Sequence, residues 1–230
     1  MFLYEMHQHS DACSACGHMS PADAVRELKE AGFAGMVLTD HFYHGNSRID
    51  RSRGWEFFVQ AYAAGWQAAR SAAEGLDFDV LFGLEEDVGE RREVLVYGLT
   101  PEKLLAHPEW AEGEVWQGDV TRIAPIVRAE GGVVIQAHPF RGNGRGLPFQ
   151  PLPLEYLDGM EIANACNAAG DNDLAVAYAR EHGVTRVTAG SDAHYPGQAA
   201  RWGIACERRI RDAATLAQVL RAQEYEIYVK

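Results

Sequence analysis

The sequence predicts an α/β fold built around a largely parallel sheet. Short apolar runs alternate along the chain with longer segments of helical pattern, which is typical of parallel strands joined by helices. Continuous apolar runs at residues 35–39 (GMVLT) and 133–136 (VVIQ) indicate strands that are covered on both faces. The chain has 230 residues, of which 47% are hydrophobic. This is enough for one well-buried core, so we expect a single domain over residues 1–230.

Local signals place the elements in order along the chain. The first helix has Ser20 as its N-cap, Pro21 in its first turn and Gly32 at its end. The predicted helices are 21–31, 55–74, 120–130, 171–182 and 213–221. The predicted strands are 2–6, 35–39, 78–84, 94–97, 133–136, 159–162, 185–188 and 225–229, with a further apolar run at 202–206. We interpret the Gly- and Pro-rich stretch 141–153 as a surface loop near the site.

Charge and composition narrow the classes of protein. The formal net charge of -12 argues against a broad nucleic-acid-binding face, so long nucleic acids are not expected as partners. An anionic small molecule stays compatible, because carboxylates that hold metal ions count toward this charge. Four cysteines without regular spacing fit a reducing compartment. The N-terminus does not have the pattern of a signal peptide, and no apolar run is long enough for a membrane helix, so we expect a cytoplasmic protein without membrane contact.

Histidines and carboxylates stand at the ends of five predicted strands. Because the carboxyl ends of parallel strands meet on one face, these residues are expected to converge in one pocket. The residues are His7 and His9, Asp40 and His41, Glu85, His138, and Asp192 and His194.

The spacing of these residues favours metal binding. His7 and His9 are two apart, so on an extended chain both imidazoles point to the same side, and Asp192 and His194 repeat this arrangement. Imidazole and carboxylate ligands suit zinc, manganese or iron, and Glu85 has two oxygens with which to bridge two ions. One such residue alone is more often a cap or a surface residue. Together, without cations, they would form a costly cluster of desolvated polar groups.

Five short motifs resemble those of the PHP (polymerase and histidinol phosphatase) family. They occur in the family's order from residue 7 to residue 194, so the resemblance covers most of the chain. Each motif is weak alone, and the ordered set is specific. The motifs are HQH at 7–9, TDH at 39–41, GLEE at 83–86, AHPFR at 137–141 and GSDAH at 190–194.

The resemblance implies a distorted seven-stranded (β/α)7 barrel with two or three divalent ions (Zn, Mn or Fe) at the C-terminal ends of the strands. Asp40 would fix a neighbouring histidine and not bind metal itself. The implied ligands are His7, His9, Glu85 and Asp192 for a first ion, Glu85 and His138 for a second, and His18, His41 and His194 for a third.

One position departs from the family pattern. Many relatives carry a histidine at the start of the strand after the glutamate motif, and Glu93 stands there in this chain. If Glu93 is a ligand, the second site is richer in oxygen and favours manganese or iron over zinc. If it is not, the second site is weak or empty. The sequence leaves both alternatives open.

The implied chemistry is metal-dependent hydrolysis of a small phosphomonoester or phosphodiester. The hypothesis is that a metal-bound hydroxide attacks phosphorus while the cluster neutralises the phosphoryl oxygens. The expected catalytic residues are Glu85, Asp192, His194 and Arg141. Arg141 is either a phosphate clamp or an ordinary exposed arginine, and Arg145 is a weaker candidate clamp.

Other candidate residues have weaker support. His44 is a possible metal ligand, general acid or substrate contact, with a surface position favoured. Cys13 and Cys16 form a CxxC pair without a second Cys/His pair nearby, so we interpret them as loop thiols. Ser191 lacks the GxSxG context of a nucleophile.

Three alternative functions stay open. The chain could be a nucleotide phosphatase or exonuclease, or a histidinol phosphatase. The third alternative, from a different class, is a catalytically silent metal-binding regulatory domain. In such a domain we would expect at least one of Glu85, Asp192 and His194 to be missing, and all three are present. The substrate itself is not readable, because substrate contacts lie in variable loops.

Overall fold

The computed structural model describes residues 1–142, 151–168 and 170–230. The strands in this part of the chain are β1 (Phe2–Gln8), β2 (Gly35–Leu38), β3 (Asp79–Asp87), β4 (Glu93–Tyr97), β5 (Val133–Gln136), β6 (Gly159–Asn164), β7 (Val187–Gly190), β8 (Trp202–Cys206) and β9 (Glu226–Val229). The α-helices are α1 (Pro21–Glu30), α2 (Trp55–Ala72), α3 (Pro101–Leu105), α4 (Val120–Ala129), α5 (Asp171–Glu181) and α6 (Ala213–Ala222). Short 3-10 helices cover Arg51–Arg53, Pro108–Ala111 and Leu154–Tyr156.

One sheet contains all of these strands in the order β7-β6-β5-β4-β3-β2-β1-β8-β9. It curls into a nearly closed barrel, because the end of β7 meets β1. The backbone N–H of Asp192 donates to the carbonyl of His7 at 2.7 Å. Only glycine fits at residue 190, since an added Cβ there would lie 2.4 Å from the Cβ of His7. Across the interior, the Tyr97 hydroxyl of β4 donates to the carbonyl of Met6 in β1 at 2.9 Å.

The predicted α/β class is confirmed, but the predicted strand number of seven is wrong. The sheet has nine strands in the described part of the chain, and it is mixed. β1, β2 and β3 are parallel to one another, as are β5, β6 and β7. β4 is antiparallel to both of its neighbours. Its connection from β3, over residues 88–92, is too short for a parallel crossover. β8 and β9 extend the sheet beyond β1 in antiparallel pairs, and residues 202–206 were predicted only as an apolar run.

Two strands reach further than predicted, which changes where their ligand-type residues lie. β1 continues to Gln8 and β3 to Asp87, so His7 and Glu85 lie within strands and not after them. The extension of β3 is paired with the antiparallel strand β4, where Glu85 lies opposite Leu95. The sequence analysis predicted a largely parallel sheet and did not assign this antiparallel pairing.

Helices pack on the outside of the barrel and form most of the core there. On α2, Phe58 and Tyr62 pack with Phe42 and Phe82 in one buried cluster. α1 begins as predicted, with the Ser20 hydroxyl accepting from a backbone N–H of the first turn. Among the described residues, no helix is both long and apolar enough to cross a membrane.

Candidate metal centre

Eight ligand-type side chains converge at the mouth of the barrel. Within each of four groups of three, the possible ligand atoms lie within 4.8 Å of one another. Neighbouring groups share members, so the side chains form one continuous cluster. The groups, among the described residues, are His7, His9 and Glu85; His7, His138 and Asp192; His41, Glu85 and Glu93; and His9, His41 and His194.

Seven of the eight ligands expected from the sequence lie in this cluster, and Glu93 joins them. His18 does not. Its side chain is exposed, and its ring stacks on that of Tyr195 at a centroid distance of 4.4 Å. The His18 N–H donates to the carbonyl of His194 at 2.8 Å, so it is the backbone that contacts the cluster segment at this point. The structure therefore groups His9, and not His18, with His41 and His194.

A buried carboxylate fixes the orientation of the His7 ring. The Nδ1 atom of His7 lies 3.0 Å from Oε1 of Glu161, while its Nε2 lies 3.1 Å from Nε2 of His9 and 3.2 Å from Oε1 of Glu85. A proton on Nδ1 that is donated to Glu161 leaves the lone pair of Nε2 pointing into the cluster. This second hydrogen bond is the arrangement by which proteins orient metal-binding histidines.

A serine relays the same effect from Asp40 to His9. The Ser14 hydroxyl donates to Oδ1 of Asp40 at 2.7 Å and accepts from the backbone N–H of His41 at 2.9 Å. Its remaining lone pair faces Nδ1 of His9 at 3.0 Å, so His9 donates from Nδ1 and keeps the lone pair on Nε2. Asp40 is itself held by the Ser10 N–H at 2.6 Å, and it acts on the cluster through Ser14.

This arrangement fits a divalent cation. When His7 and His9 donate from Nδ1 to Glu161 and Ser14, the lone pairs of their Nε2 atoms, 3.1 Å apart, face each other, and a proton or a metal cation between them is needed to offset the repulsion. Two carboxylates, Glu85 and Asp192, are each only 1% exposed beside them, and burying such charge is costly without compensation. His41 is also buried, and its Nδ1 lies 3.0 Å from Oε2 of Glu85, so a third imidazole faces the same carboxylate. A set of imidazole and carboxylate donors suits zinc, manganese or iron.

The pKa shifts in the cluster also favour a bound cation. Burial alone would raise the pKa of Glu85, but the imidazoles of His7 and His41 hold this pKa well below its usual range. Burial alone would lower the pKa of His7, but Asp192, Glu161 and Glu85 raise it well above its usual value. The site therefore stabilises positive charge at the ligand atoms, which is what a bound cation supplies.

Glu93 occupies the position at which many relatives carry a histidine. Its Oε1 lies 3.4 Å from Nδ1 of His41, and its Oε2 lies 3.4 Å from Nε2 of His138. The same His138 atom lies 3.0 Å from Oε1 of Glu85. Burial and the neighbouring charge of Glu85 raise the pKa of Glu93. Two carboxylates therefore face this part of the cluster.

Arg141 holds the other side of Asp192. The Asp192 Oδ1 atom lies 3.1 Å from Nε2 of His9, whereas its Oδ2 accepts from Nη2 of Arg141 and from Nδ2 of Asn164 at 3.2 Å. The Nε atom of Arg141 donates to Asn167 at 2.9 Å. Arg141 is thus neither an ordinary exposed residue nor remote from the cluster, because it fixes which Asp192 oxygen faces the histidines.

A cleft of about 530 Å³ opens over the cluster. Arg141 lies in its wall, and Arg91 and Trp116 line it further out. Asp87 also lines the cleft, and burial, together with the charges of Glu93 and Glu86, raises its pKa to about 7. The weaker clamp candidate, Arg145, lies outside the described residues.

The surface position favoured for His44 is wrong. The residue is fully buried, its backbone N–H donates to Oε1 of Glu86 at 2.7 Å, and its Nε2 lies 3.2 Å from the carbonyl of Glu112. The neighbouring Trp110 indole also donates to Glu86, at 2.7 Å, which closes this region. His44 does not belong to any of the four groups of possible ligands.

Several contributors to the site were missed in the sequence, and three of them are instructive. The sequence could have indicated Glu161, because a carboxylate inside a predicted buried strand needs a partner. It could not have indicated Ser14, since serine is common in loops. Cys16 was interpreted as a loop thiol, and its thiol lies beside the rings of His194 and His41. Burial alone would raise the pKa of Cys16, and these two contacts outweigh it and lower the pKa to about 5.

Comparison with known proteins agrees with the geometry. Residues 169–225 match a family model described as PHP-associated. A search of curated proteins finds no sequence match. A protein from Bifidobacterium adolescentis, to which metal-dependent phosphoesterase activity has been ascribed, is similar in structure. Its TM-score is 0.55 at 17% identity, with 94% of this chain and 95% of that chain covered.

Two larger proteins contain a similar fold. One is a two-domain protein from Bacteroides vulgatus that contains a PHP-like domain to which the same activity is ascribed, with a TM-score of 0.71, 16% identity, and 99% of this chain and 64% of that chain covered. The other is a lesion-specific endonuclease from Pyrococcus furiosus, with a TM-score of 0.62, 13% identity, and 98% of this chain and 57% of that chain covered.

At such identities the structural likeness shows the fold. Over residues 169–225 the chain also resembles the PHP-associated family model, and over its whole fold it is similar to proteins described as PHP-like.

Proposed function

We propose that this chain is a metal-dependent phosphoesterase that acts on a small phosphorylated molecule. The observation that carries the proposal is the convergence of eight imidazole and carboxylate side chains beneath one cleft, whose wall also contains two arginines. Cations at the bottom of a cleft and guanidinium groups in its wall favour a phosphate ester as the occupant.

Two or three divalent ions fit the donor groups. When bound, such ions lower the pKa of a coordinated water to roughly 7 and neutralise charge on phosphoryl oxygens. Glu85 belongs to two of the groups and is the candidate bridging carboxylate. The proposed ligands are His7, His9, Glu85 and Asp192 for the first ion, Glu85, Glu93 and His138 for the second, and His41 and His194 for the third.

The chain's own residues orient the ligands and contact the substrate. Glu161 and Ser14 keep the lone pairs of His7 and His9 directed at the cluster. Arg141 holds Asp192 and also faces the cleft, where its guanidinium can contact a phosphoryl oxygen. Arg141 can have both roles because it lies in the segment directly after β5, next to Asp192 and to the cleft.

Asp87 is the candidate proton donor to the leaving group. It lines the cleft, and its pKa of about 7 leaves its carboxyl group partly protonated at neutral pH. An alkyl phosphate, with a poor leaving group, needs this proton, whereas p-nitrophenolate leaves without it. Asp87→Asn is therefore expected to slow alkyl phosphate hydrolysis by about 100-fold or more, and p-nitrophenyl phosphate hydrolysis much less. Equal loss on both substrates would refute the role.

The lining of the cleft favours one alternative substrate class, the nucleotides. The indole of Trp116 is 49% exposed and lines the same cleft as Arg91. An exposed aromatic face beside a guanidinium can stack a base while the phosphate is bound nearby. If nucleotides are the substrates, Trp116→Ala will raise KM for nucleoside monophosphates and leave KM for glycerol phosphate unchanged. An equal effect on both would remove this alternative.

The test of the proposed function is hydrolysis before and after metal removal. The purified protein is assayed with p-nitrophenyl phosphate and with its bis-ester, then treated with a chelator and resupplied with manganese, zinc or iron. We expect activity that is lost on chelation and restored by at least one metal, and the ratio of the two rates defines the mono- or diester preference. Absence of activity under every metal condition would overturn the proposal.

A further inference from the structure

A short segment of the chain places Trp116 in the wall of the cleft. Residues 112–119, the cleft segment, connect the 3-10 helix Pro108–Ala111 with α4. Trp116 lines the cleft and is 49% exposed. Its φ angle is 68°, in the left-handed region that bulky residues rarely adopt. Such a conformation persists only where surrounding contacts hold it, and it is common at functional sites, so the contacts of this segment bear on function.

The buried His44 lies against the cleft segment along its length. Its Nε2 atom lies 3.2 Å from the carbonyl oxygen of Glu112, and because a carbonyl can only accept, Nε2 is the donor. The carbonyl of His44 accepts from the backbone N–H of Trp116 at 2.8 Å. At the other end of the segment, a Cβ added to Gly118 would lie 3.2 Å from Nδ1 of His44. The imidazole therefore contacts both ends of the segment, and the His44 backbone contacts its middle.

A buried carboxylate fixes His44 in turn. Glu86 directly follows Glu85 in β3, so the two side chains point to opposite faces of the strand. The Oε1 atom of Glu86 accepts from the backbone N–H of His44 at 2.7 Å, and its Oε2 accepts from the indole of Trp110 at 2.7 Å. Hydrogen bonds to a carboxylate are stronger than those to a neutral acceptor. His44 is thereby fixed to the same strand that contains the candidate bridging ligand Glu85.

The cleft segment is also packed directly against the end of β3. Only glycine fits at residue 118, because a Cβ there would lie 2.0 Å from the carbonyl oxygen of Asp87. The carbonyl of Glu112 accepts a second hydrogen bond, from the Arg122 guanidinium at 2.6 Å. The position of Trp116 is therefore set by several contacts, and the contacts of His44 are those that lie beneath the segment.

We propose that His44 is a positioning residue, which sets the affinity for ring-containing phosphate esters by holding Trp116 in place to stack on the ring. The inference rests on the proposed phosphoesterase function and deepens it. An exposed indole stacks on a flat ring, whereas an aliphatic phosphate offers it no ring.

His44 acts through the cleft segment and not on the metal ions. Among the described residues, it belongs to none of the four groups of possible ligands. Loss of its side chain is therefore expected to weaken binding of the substrate ring, which changes KM, and to leave the chemical step at the cluster as it is. This separates His44 from Glu85, whose loss is expected to lower kcat.

Steady-state kinetics on two substrates tests the assignment, because p-nitrophenyl phosphate has a ring and glycerol phosphate has none. In His44→Ala we expect KM for p-nitrophenyl phosphate to rise about tenfold, with KM for glycerol phosphate, both kcat values and the metal content unchanged. Trp116→Ala should have the same effect. The double variant should show no further rise, since both residues act through one contact. The matched control is His182→Ala, an exposed histidine at the end of α5, which should change neither KM.

Different results would contradict different claims. An unchanged KM for p-nitrophenyl phosphate in either single variant, or effects that multiply in the double variant, would overturn the role of His44 and leave the phosphoesterase function standing. An equal rise of KM for both substrates in His44→Ala, or a loss of metal, would show a general structural role and also overturn it. Absence of hydrolysis by the wild-type chain under every metal condition would overturn both proposals.

A second variant at residue 44 addresses a folding defect in His44→Ala. His44→Gln keeps a side-chain N–H donor for the carbonyl of Glu112. We expect its KM for p-nitrophenyl phosphate to lie well below that of His44→Ala and close to the wild-type value. A KM as high as that of the alanine variant, in a folded chain with its full metal content, would contradict the positioning role.

Discussion

Two of the assemblies of histidine and carboxylate among the described residues use their ring nitrogens differently. On the surface, His107 places Nδ1 2.8 Å from Glu109 and Nε2 3.1 Å from Glu130, so both nitrogens are occupied. In the barrel mouth, only the Nδ1 atom of His7 contacts an orienting carboxylate, that of Glu161, and its Nε2 points at the possible metal-ligand atom of His9. The surface group is complete as a solvated ion pair. The buried group needs a cation, and this difference separates a metal site from a salt bridge with similar residues.

The largest loss of activity is expected from substitution of Glu85, the carboxylate that several histidines of the buried assembly share. Glu85→Gln removes the charge that faces His7, His41 and His138 and keeps the side-chain volume. We expect kcat/KM for p-nitrophenyl phosphate to fall by more than about 100-fold, beyond the 10- to 100-fold typical of orienting partners. Glu102→Gln, in the first turn of α3, is the matched control and should retain activity. Activity of the Glu85 variant within tenfold of wild type would contradict the cluster's role.

The next largest effect is expected from Ser14, because its hydroxyl fixes the orientation and tautomer of the His9 ring. Ser14→Ala leaves Nδ1 of His9 without its acceptor, and frees the ring to adopt the wrong tautomer. We expect metal affinity, measured by calorimetric titration, to fall by about 10- to 100-fold. Ser52→Ala removes a serine that donates to Asp50 in the same way at the surface, at 2.6 Å, and should leave affinity unchanged. Equal affinities in both variants would show that His9 needs no fixed tautomer.

A smaller effect is expected at the carboxylate that replaces a histidine. Glu93→His supplies a nitrogen between His41 and His138, so the ratio of zinc to manganese affinity should rise by about tenfold. Competition titrations with the two metals measure this ratio. Glu93→Gln serves as the control, and should weaken both metals without favouring zinc. An unchanged ratio in the histidine variant would place Glu93 outside the ligand set.

The smallest effect belongs to the surface assembly. The hydrogen bond with Glu109 and that with Glu130 raise the pKa of His107. Its protonated form therefore stabilises the fold fully below the unfolded pKa of about 6.5, and this contribution is lost as pH rises through the raised folded value. His107→Gln should remove that pH dependence, with a change in Tm below about 2 °C, because solvent screens the pair. Metal content and activity should not change, and a loss of either would break the distinction between the two assemblies.

The sequence predicted most of the ligands, because their position depends on a simple rule. His7, Glu85, His138 and Asp192 lie at strand ends or just beyond them, and parallel strands bring such ends together. Their exact placement was less accurate, since the extension of β3 depends on its antiparallel pairing with β4. The spacing between the predicted strands 78–84 and 94–97 contained this information, because a short connection cannot form a parallel crossover.

The orienting residues could not be predicted in the same way. Glu161 reaches His7 through a contact that spans 154 residues of sequence. Ser14 is only five residues from His9, but the contacts that fix its hydroxyl, with Asp40 and His41, span 26 and 27 residues. The family resemblance assigned His18 to the third ion, but its ring stacks on that of Tyr195, a contact that no local pattern indicates.

The central claim is that the buried assembly holds divalent metal ions, and the most direct measurement is the metal content of the purified chain by elemental analysis. It is made on the wild type and on Glu85→Gln, each after supply of zinc, manganese and iron and removal of unbound metal. We predict two or three ions per wild-type chain and at least one fewer in the variant. A wild-type chain without bound metal, or a variant with an unchanged number of ions, would contradict the account.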